Sequence, residues 1–237
     1  ITEVEERAIC DATIRAGAKK TYLIEGTVAA AIGAGIDISK PVGNLVVDIG
    51  GGTTDVAVIS MHNVVTGESI KIAGDALNEA IIKYIRRKYN MLIGERTAEE
   101  VKIRIGTAWP CEVVSTMQVK GRCLIEGLPK MIELSTTELL EAIEEPVTSI
   151  VNAICAVIER TPPELVGDIA AAGIVMTGGS ARLNGLDKLI EHVTGIRTFI
   201  ADNPDKCVAI GAGRSLDNLS LRSAGTINLA RKQQERL

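Results

Sequence analysis

Apolar and polar positions switch repeatedly between helical and strand periods along this chain. Val4, Ala8, Ala12 and Ile14 recur at roughly helical spacing, and Thr2 with Glu5 three positions on forms a capping box, so a helix is predicted up to about Gly17. Residues 21–24 read as a short buried strand, and the small residues of 29–35 as a helix able to lie very close to a sheet. Pro41 and Gly43 mark a break. Residues 45–49 form a continuous apolar strand that runs into glycines, 55–60 resume it, and 64–72 return as a partner, a β-hairpin pattern.

Leu77, Ile81, Ile82 and Ile85 mark an amphipathic helix whose far face carries Lys83, Arg86, Arg87 and Lys88. Thr97 is read as the cap of a second helix running to about Ile105. Short strands separated by Gly and Pro are predicted over 111–134, then a long helix from Thr136 or Thr137 to about Arg160, closed by Pro162 and Pro163. Residues 169–177 read as a strand ending in glycines, 183–194 as helix, 197–200 as strand, and Pro204 opens a helix through Ala212. The tail, 220–237, is polar and basic. Strands alternating with helices predict an α/β fold, with 75–135 inserted as a unit carrying its own small sheet.

With 237 residues, 46% hydrophobic and 24% charged, the chain can build a sizeable core and is not disordered throughout. The net charge of -4 and the lack of a long basic block argue against nucleic-acid binding. The aromatics Tyr22, Tyr84, Tyr89, Trp109 and Phe199 are scattered, so no base-stacking platform is expected. His62 and His192 are far apart, and Cys10, Cys111, Cys123, Cys155 and Cys207 form no C-x-x-C pair, which disfavours a zinc site and fits a reduced, cytosolic compartment. No apolar run reaches the roughly 18 residues of a membrane span, and no signal peptide is visible. The sequence opens directly in helical pattern at Ile1, so an upstream piece is expected.

The sharpest chemical signal is Asp48-Ile49-Gly50-Gly51-Gly52-Thr53-Thr54-Asp55. A buried strand delivers a carboxylate, then three glycines whose backbone N–H groups can converge on an anion, then two hydroxyls. Asp48 cannot bind phosphate directly and is suited to holding water around magnesium. An ordinary glycine-rich hairpin turn is the alternative. A second turn, Thr177-Gly178-Gly179-Ser180-Ala181-Arg182, also follows a buried strand and leads into a helix, where α/β sheets place ligands; alone it reads as a tight turn. There is no Walker A loop, no G-x-G-x-x-G fingerprint and no G-x-S-x-G elbow.

Four stretches carry a family resemblance: D-I-G-G-G-T-T-D-V-A-V at 48–58, I-G-E-R-T-A-E-E-V-K-I-R-I-G at 93–106, T-G-G-S-A-R-L-N-G-L at 177–186 and D-N-P-D-K-C-V-A-I-G-A-G at 202–213. Together they resemble the MreB/Mbl family of bacterial actin homologues. The resemblance implies the actin-like ATPase fold, with residues 1–40 and 201–237 in subdomain IA, 41–72 and 136–200 in subdomain IIA, and 73–135 as subdomain IIB. It makes Gly50, Gly51, Gly52 and Thr53 a phosphate loop and places Gly178, Gly179, Ser180 and Ala181 at adenosine. Glu99 and Lys102 match the family's E-x-x-K on the IIB side, with Glu100 and Val101 between them; by spacing alone the pair shares one helix face and could be a solvated ion pair. ATP or ADP with Mg2+ are the implied cofactors.

The same resemblance implies ATP-dependent filaments that line the inner face of the membrane from the cytoplasm, engage membrane proteins of cell-wall elongation and set rod shape. The basic face at 83–88 is read as solvated surface, or alternatively as a filament contact. Two departures from the family pattern stand out. Its N-terminal part, with the first phosphate loop and the membrane-inserting elements, is absent from this sequence. Gly26 also stands where a glutamate is expected to position the attacking water, while the neighbouring Glu25 is expected to point away, so weak or no hydrolysis is predicted. The competing readings are a sugar kinase or heat-shock ATPase of the same superfamily, and a degenerate paralogue that modulates filaments.

Overall fold

The structure, a computed structural model, describes residues 3–217; Thr2 of the expected capping box and the polar tail lie outside the described residues. Helix α1 (Glu3–Arg15) is followed by irregular chain and α2 (Gly26–Gly33). Strands β1 (Asn44–Ile49), β2 (Thr54–Ser60) and β3 (Asn63–Ile70) form an antiparallel meander. Helices α3 (Gly74–Tyr89) and α4 (Glu95–Ile105) flank the short β4 (Met91–Leu92), and the hairpin β5 (Thr116–Cys123) and β6 (Pro129–Ser135) leads into the long α5 (Thr136–Glu159). The described residues continue with α6 (Pro163–Ala172), β7 (Ile174–Thr177), α7 (Leu186–Thr194), β8 (Thr198–Ile200) and α8 (Cys207–Asp217).

The main sheet has the order β3-β2-β1-β7-β8, with β7 parallel to β1 and β8 parallel to β7. Both of its faces are covered, which is why β1 reads as an unbroken apolar run rather than an alternating one. On one face Leu45, Val47, Ile49, Val56 and Val58 join a core with α3, α4, α5 and α7. On the other, Val46, Ala57 and Ile59 pack against Val28, Ala30 and Ala31 of α2. The small residues of α2 also let α8 press against it backbone to backbone: a Cβ on Gly211 would stand 1.7 Å from the Ala29 carbonyl oxygen, and one on Gly33 1.8 Å from that of Cys207.

The order β4-β5-β6 makes a second, three-stranded sheet. Its inward residues Met91, Val119, Ile132 and Leu134 merge with the core beneath α3 and α5.

The structure departs from the sequence reading at five points. Residues 21–24 are not a strand, because a strand needs a ladder partner and no described strand flanks them. Helix α4 starts at Glu95 with Gly94 in the cap position, so Thr97 lies inside it. The pair Pro162 and Pro163 ends α5 and also opens α6, Pro163 taking the first helical position that its missing N–H suits. The strand expected from Ile169 therefore begins only at Ile174, after Gly173 has stopped α6 with a φ of 95°. The helix expected from Leu183 begins only at Leu186, after a separate 3-10 turn at Gly179–Arg182, and the helix expected from Pro204 opens with a 3-10 turn at Pro204–Lys206.

Helix α5 begins with a capping box: Ser135 accepts from the Glu138 N–H, and Glu138 accepts from the Ser135 N–H at 2.9 Å. Glu138 also accepts from Lys88, at 2.8 Å, and from the Tyr89 hydroxyl, which ties the start of α5 to the end of α3. Arg87 and Lys88 lie over the Tyr84 ring. Part of the basic face read from sequence is thus committed to packing within the chain. Burial pushes the Glu138 carboxyl up, but Lys88, Tyr89 and Ser135 outweigh it and hold it from its ordinary 4.5 down to about 2.

Glu138→Ala should cost about 1–2 kcal/mol at pH 7. A depressed carboxyl contributes fully above its ordinary value and loses that contribution as pH falls through the folded one. The difference in urea midpoint between wild type and variant should therefore be complete at pH 7 and shrink between 4.5 and about 2.

Candidate functional site

The site is built at the carboxyl ends of β1 and β7. Beyond Ile49 the chain turns through Gly50-Gly51-Gly52-Thr53, closed by the Gly50 N–H donating to the Thr53 carbonyl at 2.9 Å. The Gly50 and Gly51 carbonyls accept from the N–H groups of Gly74 (3.2 Å) and Asp75 (2.8 Å), so the first turn of α3 is stapled to the loop. The hydroxyl of Ser180 donates to the Gly50 carbonyl at 2.7 Å and brings the second glycine turn to the first. The N–H groups of Gly51, Gly52 and Thr53 donate to no group among the described residues. On an exposed loop they form a small array of free donors, suited to an anion.

Two glycines make this junction possible. Gly178 has a φ of 85°, and a Cβ there would lie 2.2 Å from the Ile49 carbonyl oxygen. A Cβ on Gly74 would lie 2.5 Å from the Ser180 hydroxyl and 3.3 Å from the Lys102 ammonium.

Opposite the glycine turns, α4 presents Glu99 and Lys102. Lys102 is buried and donates to the Gly74 carbonyl at 3.1 Å and to Glu99 Oε2 at 2.7 Å. Asn78 of α3 donates through Nδ2 to the same Oε2 at 2.6 Å. Desolvation pushes the Glu99 carboxyl up, but these two donors together hold it below the usual carboxylate range. Between the turns and α4 lies a cavity of about 790 Å³. Gly50, Gly51, Gly74, Asp75, Glu99, Lys102, Gly179 and Ser180 line its polar side, and Leu77, Ile103, Ile105, Val113 and Leu183 its apolar side.

Asp48 lies outside this cavity. Strand alternation puts it on the face of Val46, the one covered by α2. Thr177 donates to its Oδ1 at 2.8 Å, and Asp55 stands opposite in the β1–β2 register. Burial pushes the Asp48 carboxyl up, Thr177 opposes this, and the negative charge of Asp55 adds to it.

Of the residues singled out from sequence, Gly50, Gly51, Glu99, Lys102, Gly179 and Ser180 meet around the cavity. Gly52 and Thr53 lie exposed on the loop, where Thr53 donates to Asp55 at 3.1 Å. Gly178 is held behind the cavity wall, its N–H on the Pro204 carbonyl at 2.9 Å, and Ala181 is fully buried. Glu100 and Val101 do not reach the cavity: Glu100 pairs outward with Arg104 at 2.8 Å, and Val101 points into the core, because neighbouring helix positions face different ways. Sequence reading missed Gly74, Asp75 and Asn78. The available signal for Asn78 was an amide set among Leu77, Ile81 and Ile85 on the apolar stripe of α3.

A β1–β2 hairpin whose glycine loop meets a second glycine turn after the parallel β7, beneath helices of an inserted unit, defines an actin-like ATPase fold. Comparison with known proteins narrows the class. A model of the MreB/Mbl protein family matches residues 1–223, and the chain belongs to that family. The cell shape-determining protein MreB of Escherichia coli K12 is 49% identical over 220 residues, 93% of this chain and 63% of that protein. The cell shape-determining protein Mbl of Bacillus subtilis 168 is 50% identical over 219 residues, 92% of this chain and 66% of that protein. The chain thus spans about two thirds of the length of these curated relatives. The crystal structure of MreB5 of Spiroplasma citri bound to ADP superposes with a TM-score of 0.90 at 37% identity, covering 94% of this chain and 69% of that one. The MamK double helical filament, at 19% identity and a TM-score of 0.68 over 81% of this chain and 58% of that one, shares the fold.

A carboxyl raised above its ordinary value lowers stability as pH rises through that interval, because the ionised form is the one disfavoured in the fold. Asp48→Asn should therefore unfold at a urea midpoint no lower than wild type at pH 7, and any gain should vanish below pH 3.8. Equilibrium denaturation at the two pH values checks it.

Proposed function

We propose that this chain is an adenine-nucleotide-binding, actin-like bacterial cytoskeletal protein that polymerises and helps set cell shape. The observation that carries this reading is the meeting of the two glycine turns, through Ser180 and Gly50, over a cavity faced by Glu99 and Lys102. A volume of about 790 Å³ falls within the usual range for a small-molecule pocket. Adenosine would occupy the cavity, with its phosphates on the free N–H groups of Gly51, Gly52 and Thr53. Solved structures of MreB5 from Spiroplasma citri hold ADP and AMPPNP, which supports this assignment.

Magnesium would sit beside Asp48, held through water. The fit is electrostatic: Asp48 and Asp55 face each other across the hairpin, and a hydrated cation offsets their repulsion. When bound, the ion would supply charge compensation to the phosphates. The chain's own contribution is a carboxylate oriented by Thr177 and a rigid glycine loop.

Head-to-tail contacts that do not close on themselves give open filaments, the form of self-association that this reading assigns to the chain. We assign residues 41–72 and 136–200 to subdomain IIA, 73–135 to IIB, and 1–40 with 201–237 to IA. Among the described residues no helix is long and apolar enough to cross a membrane. Filaments on the inner face of the membrane, in contact with membrane proteins of cell-wall elongation, complete the proposal. Isothermal titration calorimetry with ATP or ADP and magnesium, followed by sedimentation with and without nucleotide, tests it. Uptake with nucleotide-dependent pelleting is expected, and no uptake of either nucleotide would refute it.

One observation favours a second reading, in which the chain joins filaments but turns over slowly. Gly26 is exposed at the first position of α2, and Glu25 beside it is an exposed cap residue without a side-chain capping bond. Neither supplies a held carboxylate for water. A Cβ on Gly26 would meet nothing within 4 Å, so the backbone there can carry a side chain. Gly26→Glu in the full gene product should raise steady-state phosphate release by about 10-fold or more, the scale of water positioning in phosphoryl transfer. Equal, brisk turnover in both forms would sink this reading.

A further inference from the structure

We propose that Asn78 is a positioning residue that aims Glu99 at the sugar hydroxyls of the bound nucleotide and so sets discrimination between ribose and deoxyribose ligands. The inference rests on the nucleotide reading above and extends it to a residue that never touches the ligand.

Asn78 is 3% exposed, in the inward stripe of α3 beside Leu77 and Ile81. An amide in such a stripe is costly unless both of its ends are bonded. Only one end is. Nδ2 donates to Glu99 Oε2, while the buried Oδ1 has no partner among the described residues. The amide cannot be turned round to help, because Oδ1 would then face a carboxylate oxygen. A leucine would fill the stripe without this orphaned acceptor, so core packing does not account for an asparagine here.

What the asparagine achieves is visible at Glu99. Lys102 and Asn78 both donate to Oε2, from two different helices. Two donors on one oxygen fix the plane of the carboxylate, and Oε1 has no hydrogen bond among the described residues. Glu99 lines the cavity and its side chain is 45% exposed. An ionised carboxylate, kept so by its two donors, accepts strongly from hydroxyl groups. Lys102 alone would hold Glu99 by a contact within its own helix. Asn78 adds the cross-helix contact that stops the carboxylate from swinging away, which reduces the ordering that binding must impose. Paired hydroxyls on a sugar are the donors that such an acceptor would select. The exocyclic amine of adenine is the other donor on the same ligand, and the test separates the two.

Binding of ADP, 2′,3′-dideoxyADP and inosine diphosphate, each with magnesium, is measured on the chain and on Asn78→Leu. The unaltered chain should prefer ADP to the dideoxy analogue by about 10-fold, the range of a charge-assisted hydrogen bond. In Asn78→Leu that ratio should fall toward one through weaker ADP binding, with the dideoxy affinity unchanged and the urea midpoint equal or higher. Asn78→Ala should lose the ratio in the same way, at some cost in stability, and serves if the leucine variant does not fold. In a Glu99→Gln background Asn78→Leu should change nothing further. A ratio that survives both Asn78 variants, equal loss of both nucleotides, or a discrimination that follows inosine diphosphate instead overturns the role of Asn78 while leaving nucleotide binding intact. Absence of ADP binding by the unaltered chain removes the nucleotide reading and this inference with it.

Discussion

The structure turns on a backbone junction where no side chain fits. At the end of β1 the Gly50 carbonyl accepts from two donors, the Gly74 N–H and the Ser180 hydroxyl. Gly178 lies so close to Ile49 that a Cβ would overlap its carbonyl, and Gly74 so close to Ser180 that a Cβ would overlap the hydroxyl. Three separate segments, 49–51, 74–75 and 178–180, thereby share one point. With those carbonyls bonded internally, the N–H groups of Gly51, Gly52 and Thr53 donate to no group among the described residues. The loop's suitability for an anion follows from how its backbone groups are used.

The same strand divides the chemistry between two faces. Alternation along β1 sends Leu45, Val47 and Ile49 toward α3, α4 and α5, and Val46 and Asp48 toward α2. The cavity opens on the first side, and the carboxylate suited to a hydrated cation stands on the second, with the glycine loop between them. The close packing of α2 on α8 through Gly33 and Gly211 then fixes where Gly26, at the start of α2, stands relative to the sheet. A phosphate chain resting on the loop would have a sugar and base on one side and its metal on the other.

Polar groups away from the loop hold helices in place. Lys88, Tyr89, Ser135 and Glu138 form one network that fixes the start of α5 against the end of α3. Lys102, Glu99, Asn78 and Gly74 form another that fixes α4 against the start of α3. Helix α3 is therefore clamped at both ends by charge-assisted bonds. Its first turn is also the part of the chain that contacts the glycine loop.

Much was legible in the chain itself, because it depends on local rules. The period of apolar positions marks most of the helices and strands, Thr136 marks the start of α5, and two glycine runs after apolar strands mark the site. Local rules could not show that residues 21–24 lack a strand partner, since pairing is a property of neighbours in space. Nor could they show that Pro163 starts a helix as readily as Pro162 ends one. Asn78 showed only as an amide on the apolar stripe of α3, with nothing to name its partner, and Glu100 looked as available as Glu99. Only the packing of α3 against α4 decided that Asn78 and Lys102 meet on one oxygen of Glu99 while Glu100 turns to solvent, because hydrogen bonds between helices depend on distances that spacing along one chain does not contain.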